Sequence, residues 1–144
     1  MFKNILVPTD GSSLSQRTAM RGVELAKATG AKVTAFYAAP APTPIVFRKG
    51  LPVGLSQPAE SAARIEREAN RHLAAIAAAA KKARVRFEGL HATDDYPADA
   101  ILKVAKKKKC DVIVMATHGE RGLFTSSVTR EVLDESRLPV LVFR

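Results

Sequence analysis

The run DVIVMAT, residues 111–117, constrains the fold of this chain more than any other stretch. A strand with one wet face alternates apolar and polar residues; this one is apolar almost throughout. Such a strand must be covered on both sides, as happens in parallel sheets sandwiched between helices. Four other stretches read as its companions: NILVP (4–8), KVTAFYAA (32–39), RVRFEGLHA (84–92) and LPVLVF (138–143). The first is stopped by Pro8.

Helical patterns fill the spaces between. Ser13 with Gln16 makes a capping box, opening a helix that carries Ala19, Gly22, Val23 and Ala26 on one face and closes at Gly30. A long alanine-rich helix from about Ala59 to Ala83 sets Ile65, Ala69, His72 and Ile76 near helical spacing. Pro97 suits a first helical turn, with Asp94, Asp95 and Asp99 around it favouring the positive helix end. Ile101, Val104 and Ala105 then face inward, and in the last helix Val128, Val132 and Leu133 share a face. Between the second strand and the long helix lies PAPTPIVFRKGLPVGLSQP (40–58), which holds five of the eight prolines. It reads as an irregular loop. Ile45, Val46, Phe47, Leu51 and Val53 give it the apolar weight of a flap, and a partly disordered insertion fits equally well.

Alternating strands and helices require right-handed crossovers into a parallel sheet, within one α/β domain spanning residues 1–144. Ligands of such sheets bind beyond the carboxyl ends of the strands, where the strand order reverses. Those ends carry PTDGS (8–12), AAPAP (38–42) and THGERG (117–122).

Composition narrows the functional classes. No apolar stretch approaches the ~20 residues of a membrane span, and the start reads as a core strand rather than a signal peptide. Cys110 is the only cysteine, so no intrachain disulfide forms, which suits a reducing cytoplasm. A half-buried spectator is the expected role for that thiol. The net charge is +9, much of it in Lys81, Lys82 and Arg84 and in the four lysines 106–109. Each run reads as a helix end, where cations suit the dipole, rather than as a nucleic-acid contact.

Enzyme templates fit poorly. No G-x-x-x-x-G-K-[ST], G-x-G-x-x-G or G-x-S-x-G occurs, and His72, His91 and His118 form no metal-binding pair. A triad of Ser127, His118 and Asp10 lacks any supporting pattern. Phosphate binding fits better. Gly119 and Gly122 let backbone N–H groups turn toward an anion, Ser126, Ser127 and Thr129 open a helix, and Arg121 and Arg130 add charge. The same residues also make a tight loop and a helix cap, and the local sequence leaves both readings open.

KNILVPTDGS (3–12), YPADAILKVAKKKKCDVIVMATHGERG (96–122) and SSVTREVLDESRLPVLVF (126–143) together resemble the universal stress protein family over nearly the whole length. The resemblance implies a three-layer, Rossmann-like fold with a five-stranded parallel sheet. It also implies a cytoplasmic homodimer formed through the last strand, beginning at Pro139 and ending at Phe143, and a stress-response regulatory or protective role rather than a dedicated enzyme. In nucleotide-binding members, Pro8, Thr9 and Asp10 would face the adenosine, with Ala38 and Met115 at neighbouring strand ends. The stretch holding Ala116, His118, Gly119, Gly122, Ser126, Ser127, Val128 and Thr129 would hold the phosphates of ATP, with Mg²⁺.

The family motif is Gly, two residues, Gly, nine residues, then Gly with Ser or Thr. Here Ala116 replaces the first glycine, Ser126 replaces the last, and residues 120–125 supply only six in between. The arch over the phosphates is therefore short by three residues. Glu120 also sets a negative charge beside it. Some members that lack the motif do not bind ATP, so the resemblance implies either a nucleotide-binding protein or one that acts through protein partners. A weak ATPase or a nucleic-acid-binding role ranks below both.

Overall fold

A computed structural model describes residues 1–39, 45–55, 58–118 and 126–144, with residues 45–48 and 55 described by their backbone. The elements run β1 (Asn4–Thr9), α1 (Ser13–Thr29), β2 (Lys32–Ala39), β3 (Ile45–Arg48), β4 (Leu51–Leu55), α2 (Pro58–Ala83), β5 (Phe87–Thr93), α3 (Pro97–Lys107), β6 (Val112–Ala116), α4 (Ser126–Glu135) and β7 (Val140–Phe143). The main sheet has five strands in the order β5-β2-β1-β6-β7, and every pairing in it is parallel. The chain winds outward through β2 and β5, then returns to the other side of β1. The order thus reverses between β1 and β6, where ligands of open α/β sheets bind.

Strand periodicity assigns the two faces. Ile5, Val7, Val33, Ala35 and Tyr37 pack with Ala19, Val23, Ala69 and Ile76 under α1 and α2. Leu6, Phe36, Ala38, Ile113 and Met115 pack with Ile101, Ala105, Val128 and Val132 under α3 and α4. Residues of β6 are buried at every position, as a strand covered on both faces requires. Burying one large apolar side chain such as Phe36 contributes about 1.5–3 kcal/mol. Gly22 allows α1 to close onto β1, because a Cβ there would lie 2.8 Å from Val7 Cγ2.

Several local expectations are corrected. Strand β1 runs through Pro8 to Thr9, with Pro8 opposite Phe36 and Thr9 opposite Tyr37. Its registered pairing with β6 covers only Ile5 and Leu6, so at Pro8 the strand has one partner and tolerates a missing N–H. The N-cap of α1 is Ser12, not Ser13: its Oγ accepts from Ser15 N at 3.3 Å, and Gln16 turns its side chain elsewhere. Strand β5 begins at Phe87, because Arg84 and Val85 still serve the end of α2. Leu133 is 48% exposed rather than on the buried face of α4.

The proline-rich stretch is not wholly irregular. Strands β3 and β4 pair antiparallel around Lys49 (φ 50°) and Gly50 (φ 78°). Two successive positive φ values make the tight hairpin turn whose twist matches its strands. Leu51 and Val53 stand exposed on it.

Candidate functional site

The carboxyl end of β1 is a hydrogen-bonded knot. Thr9 is fully buried, and its Oγ1 lies 2.9 Å from Ser15 Oγ, donates to Gln16 Oε1 at 2.8 Å and accepts from Gly11 N at 3.1 Å. Asp10 Oδ1 accepts from Ser12 N at 2.9 Å and from Ser15 Oγ at 2.8 Å. Its second oxygen, Oδ2, is buried and accepts no hydrogen bond from the described residues. A buried carboxylate oxygen without a donor is costly, which makes it a place for a ligand's N–H or O–H.

A second layer supports this turn from behind. Gly11 has φ +84°, and a Cβ on it would lie 2.5 Å from His72 Nε2. The His72 ring stacks on Tyr37 with centroids 5.4 Å apart and planes 17° from parallel. Gln16 Nε2 donates to the His72 carbonyl at 3.1 Å, tying α1 to α2. His72 Nε2 also lies 3.8 Å from Glu68 Oε2. Burial pushes the Tyr37 phenol pKa up, and the nearby Glu68 and Asp10 carboxylates add to that, so it stays a neutral donor at physiological pH.

Sequence reasoning set Asp10 and Thr9 at this site and passed over Ser15, Gln16, Tyr37 and His72. A signal for His72 existed. It is an imidazole at helical spacing within an otherwise apolar stripe (Ile65, Ala69, Ile76), and a polar residue on a buried face needs a partner.

The opposite wall is the end of β6. Met115 and Ala116 are fully buried, and Met115 packs in one cluster with Ala38 and Val128. Thr129, in the first turn of α4, donates toward the carbonyls of Ala116 at 3.0 Å and Thr117 at 2.9 Å. That hydroxyl staples the start of α4 to the end of β6. His118 is exposed, with Nδ1 2.9 Å from Thr117 Oγ1. Ser126 and Ser127 open α4 at its exposed N-terminus. Gly119, Gly122 and the rest of 119–125 lie outside the described residues.

The structure therefore brings Thr9, Asp10, Ala38, Met115, Ala116 and Thr129 to the carboxyl ends of β1, β2 and β6. Thr9 serves the turn rather than facing outward, and Pro8 sits within the strand. Among the described residues no group of three or more His, Cys, Asp or Glu could hold a metal ion. Cys110 is buried, and burial pushes its thiol up to about 11, which leaves it inert at neutral pH.

The model of the universal stress protein family matches residues 1–144. The chain belongs to the universal stress protein family. A universal stress protein of Methanocaldococcus jannaschii is 33% identical over 147 residues, covering 100% of this chain and 83% of the relative. A solved universal stress protein in complex with cAMP superposes with a TM-score of 0.74 at 22% identity, covering 99% of this chain and 97% of that one. The universal stress protein of Archaeoglobus fulgidus in complex with dAMP gives a TM-score of 0.68 at 19% identity, covering 99% and 98%. These structural likenesses bear out the fold: a five-stranded parallel sheet between helices.

Proposed function

We propose that this universal stress protein is a cytoplasmic regulatory or protective module, not an enzyme, which binds an adenine nucleotide beyond the carboxyl ends of β1, β2 and β6. The observation that carries the reading is Asp10: one oxygen is fixed by the α1 turn and the other, Oδ2, is buried without a donor among the described residues. An adenine amine or a ribose hydroxyl supplies the missing donor. Two structural relatives that hold cAMP and dAMP support the ligand class.

The shortened loop bears on the phosphate end. Three fewer residues, with Ala116 and Ser126 in place of glycines, leave fewer backbone N–H groups to spread over a triphosphate. A nucleotide with one phosphate, held at the N-terminus of α4, matches that reduced arch better than ATP. Mg²⁺ would then enter only with a longer phosphate chain, because the described residues offer it no ligand set.

Titration calorimetry with AMP, cAMP and ATP, with and without Mg²⁺, tests the reading. Heat for AMP or cAMP exceeding that for Mg-ATP is the expected outcome. Because the chain has no Trp and two Tyr, a co-purified nucleotide would dominate its ultraviolet spectrum. A protein-like spectrum and no heat with any adenine nucleotide would leave the second reading, a protein that acts through partner proteins alone.

Dimerisation through β7 is part of the same proposal. Among the described residues β7 pairs only with β6, and Leu141 is 43% exposed. An open apolar edge of this kind invites a second strand. Light scattering should give the mass of two chains, and Leu141→Asp should give the mass of one.

A further inference from the structure

The two lysine-rich runs, far apart in the sequence, both reach the amino end of the sheet, opposite the proposed nucleotide site. The Arg86 carbonyl accepts from Val33 N at 2.9 Å, and the Lys3 carbonyl accepts from Lys32 N at 2.9 Å. Asn4 Nδ2 donates to the Lys108 carbonyl at 2.9 Å. Segments 81–86 and 106–109 therefore flank the starts of β2 and β1, with α2 ending on one side of the sheet and α3 on the other. Lys27, Arg84 and Arg86 also line a cleft of about 110 Å³ between the ends of α1 and α2.

Two of the acids at this end are already engaged. Glu88 is held between Lys32 Nζ and Lys108 Nζ. Asp111 accepts from the backbone N–H groups of Lys3 at 2.7 Å and Asn4 at 3.2 Å. Exposed cations surround them, including Lys81, Arg84, Lys106 and Lys109, and they outnumber the acids there, although Glu135 lies in one cleft with Lys106 and Lys109.

Backbone conformation adds an independent sign. Val85 N donates to the Ala80 carbonyl at 2.8 Å and Cys110 N to the Ala105 carbonyl at 2.9 Å, closing α2 and α3 by the Schellman pattern. That closure puts its pivotal residue in the left-handed region, where glycine is at ease and side-chain-bearing residues are strained. Helix α1 uses Gly30 there (φ 72°), but α2 uses Arg84 (φ 58°) and α3 uses Lys109 (φ 53°). Dipole complementarity does not call for this, because Lys81, Lys82, Lys106 and Lys107 already occupy the last turns.

We propose that this amino-end face docks double-stranded nucleic acid through its phosphate backbone, without reading bases. At ordinary strand spacing the starts of β5, β2, β1 and β6 span roughly 14 Å. With helices on either side, the face is wide enough to meet phosphates across a groove about 12 Å wide. Single strands would need aromatic platforms, and the exposed Tyr96 lies at the opposite end, just before α3. Leu51 and Val53 belong to the hairpin at that opposite end, so the cationic face carries little to insert into a bilayer. Each run is, as the sequence reads it, an ordinary helix end; their convergence is what gives them a joint use. The inference does not rest on the nucleotide site.

The test is anisotropy of a labelled random-sequence duplex against the full chain over a range of salt, with the variant R84G/K109G. Glycine removes both charges while relaxing the backbone, so the thermal midpoint should hold or rise. Wild type should bind with a log–log salt slope of about −4 or steeper, and the variant should lose about tenfold in affinity with a slope shallower by about 2. The control K49Q/R64Q, which removes two exposed charges elsewhere, should stay within about twofold of wild type. No duplex binding by wild type at low salt overturns the proposal, as does wild-type binding by R84G/K109G or an equal loss in the control. Retention on phosphatidylserine vesicles without duplex binding overturns it in favour of a membrane surface.

Discussion

The two ends of the sheet are built from the same fold and hold opposite chemistry. Parallel strands linked by helices deliver helix N-termini to the carboxyl end and helix C-termini to the amino end. At the carboxyl end, hydroxyls and a carboxylate bond to one another around the β1–α1 turn, and Asp10 Oδ2 still lacks a donor among the described residues. At the amino end Glu88 is held by two lysines and Asp111 by two backbone N–H groups, while cations remain in excess. An end with a spare buried acceptor suits a ligand that donates, and an end with spare cations suits an anion. Polarity of this kind follows from topology, and the side chains amplify it.

The contrast is broken most severely at Asp10. Asp10→Asn keeps an oxygen for Ser12 N and Ser15 Oγ but turns the spare acceptor into a donor. Adenine-nucleotide affinity should fall about ten- to hundredfold, with the thermal midpoint nearly unchanged. Calorimetry beside thermal unfolding separates the two effects. Equal binding by wild type and variant would mean that Oδ2 never meets the ligand.

Next in size is the support behind the turn. Gly11→Ala places a methyl 2.5 Å from His72 Nε2 at φ +84°, and should destabilise the fold by about 1–3 kcal/mol. Adding His72→Ala should recover the steric part and leave the backbone part. Chemical denaturation of both single variants and the double variant measures that coupling. Purely additive losses would show that the imidazole and the turn are not in contact.

How much of each end was legible in the sequence differs for a physical reason. The strands, the α1 face and the carboxyl-end position of Asp10 follow from local period and order, which a single sequence displays. The engagement of Asp10 Oδ1 by Ser12 and Ser15 depends on which serine caps α1, and Ser12, Ser13 and Ser15 all qualify by type. His72 reaches Gly11 across a sequence separation that no local pattern reports. The hairpin at Lys49–Gly50 was hidden among prolines, although a two-residue turn with glycine second is itself a signal. At the amino end each lysine run was visible, but that both reach it depends on the strand order β5-β2-β1-β6-β7.

The carboxyl end also depends on one hydroxyl in the first turn of α4. Thr129→Val keeps the shape of the side chain and removes the donor shared by the Ala116 and Thr117 carbonyls. A loss of about 1–2 kcal/mol is expected, from the broken bond and a buried acceptor left unpaired. If α4 is fixed by packing of Val128 and Val132 alone, equilibrium unfolding will show no change.

The smallest effect belongs to the amino end and carries a definite sign. Hydrogen bonds from Lys108 and then Lys32 hold the Glu88 carboxyl below its ordinary value of 4.5. A group whose folded pKa is depressed stabilises the fold above its unfolded pKa, and that contribution disappears as pH falls through the folded value. The Glu88 side chain is 29% exposed, so solvent screening keeps the contribution under about 1 kcal/mol. The stability gap between wild type and Glu88→Gln should therefore be flat from neutral pH down to about 5 and close below it. Salt should narrow the gap at neutral pH, since screening weakens both lysine contacts. A gap unchanged through the titration of Glu88 would mean that it gains nothing from its lysines, and the amino end would then hold an acid free to oppose a bound polyanion.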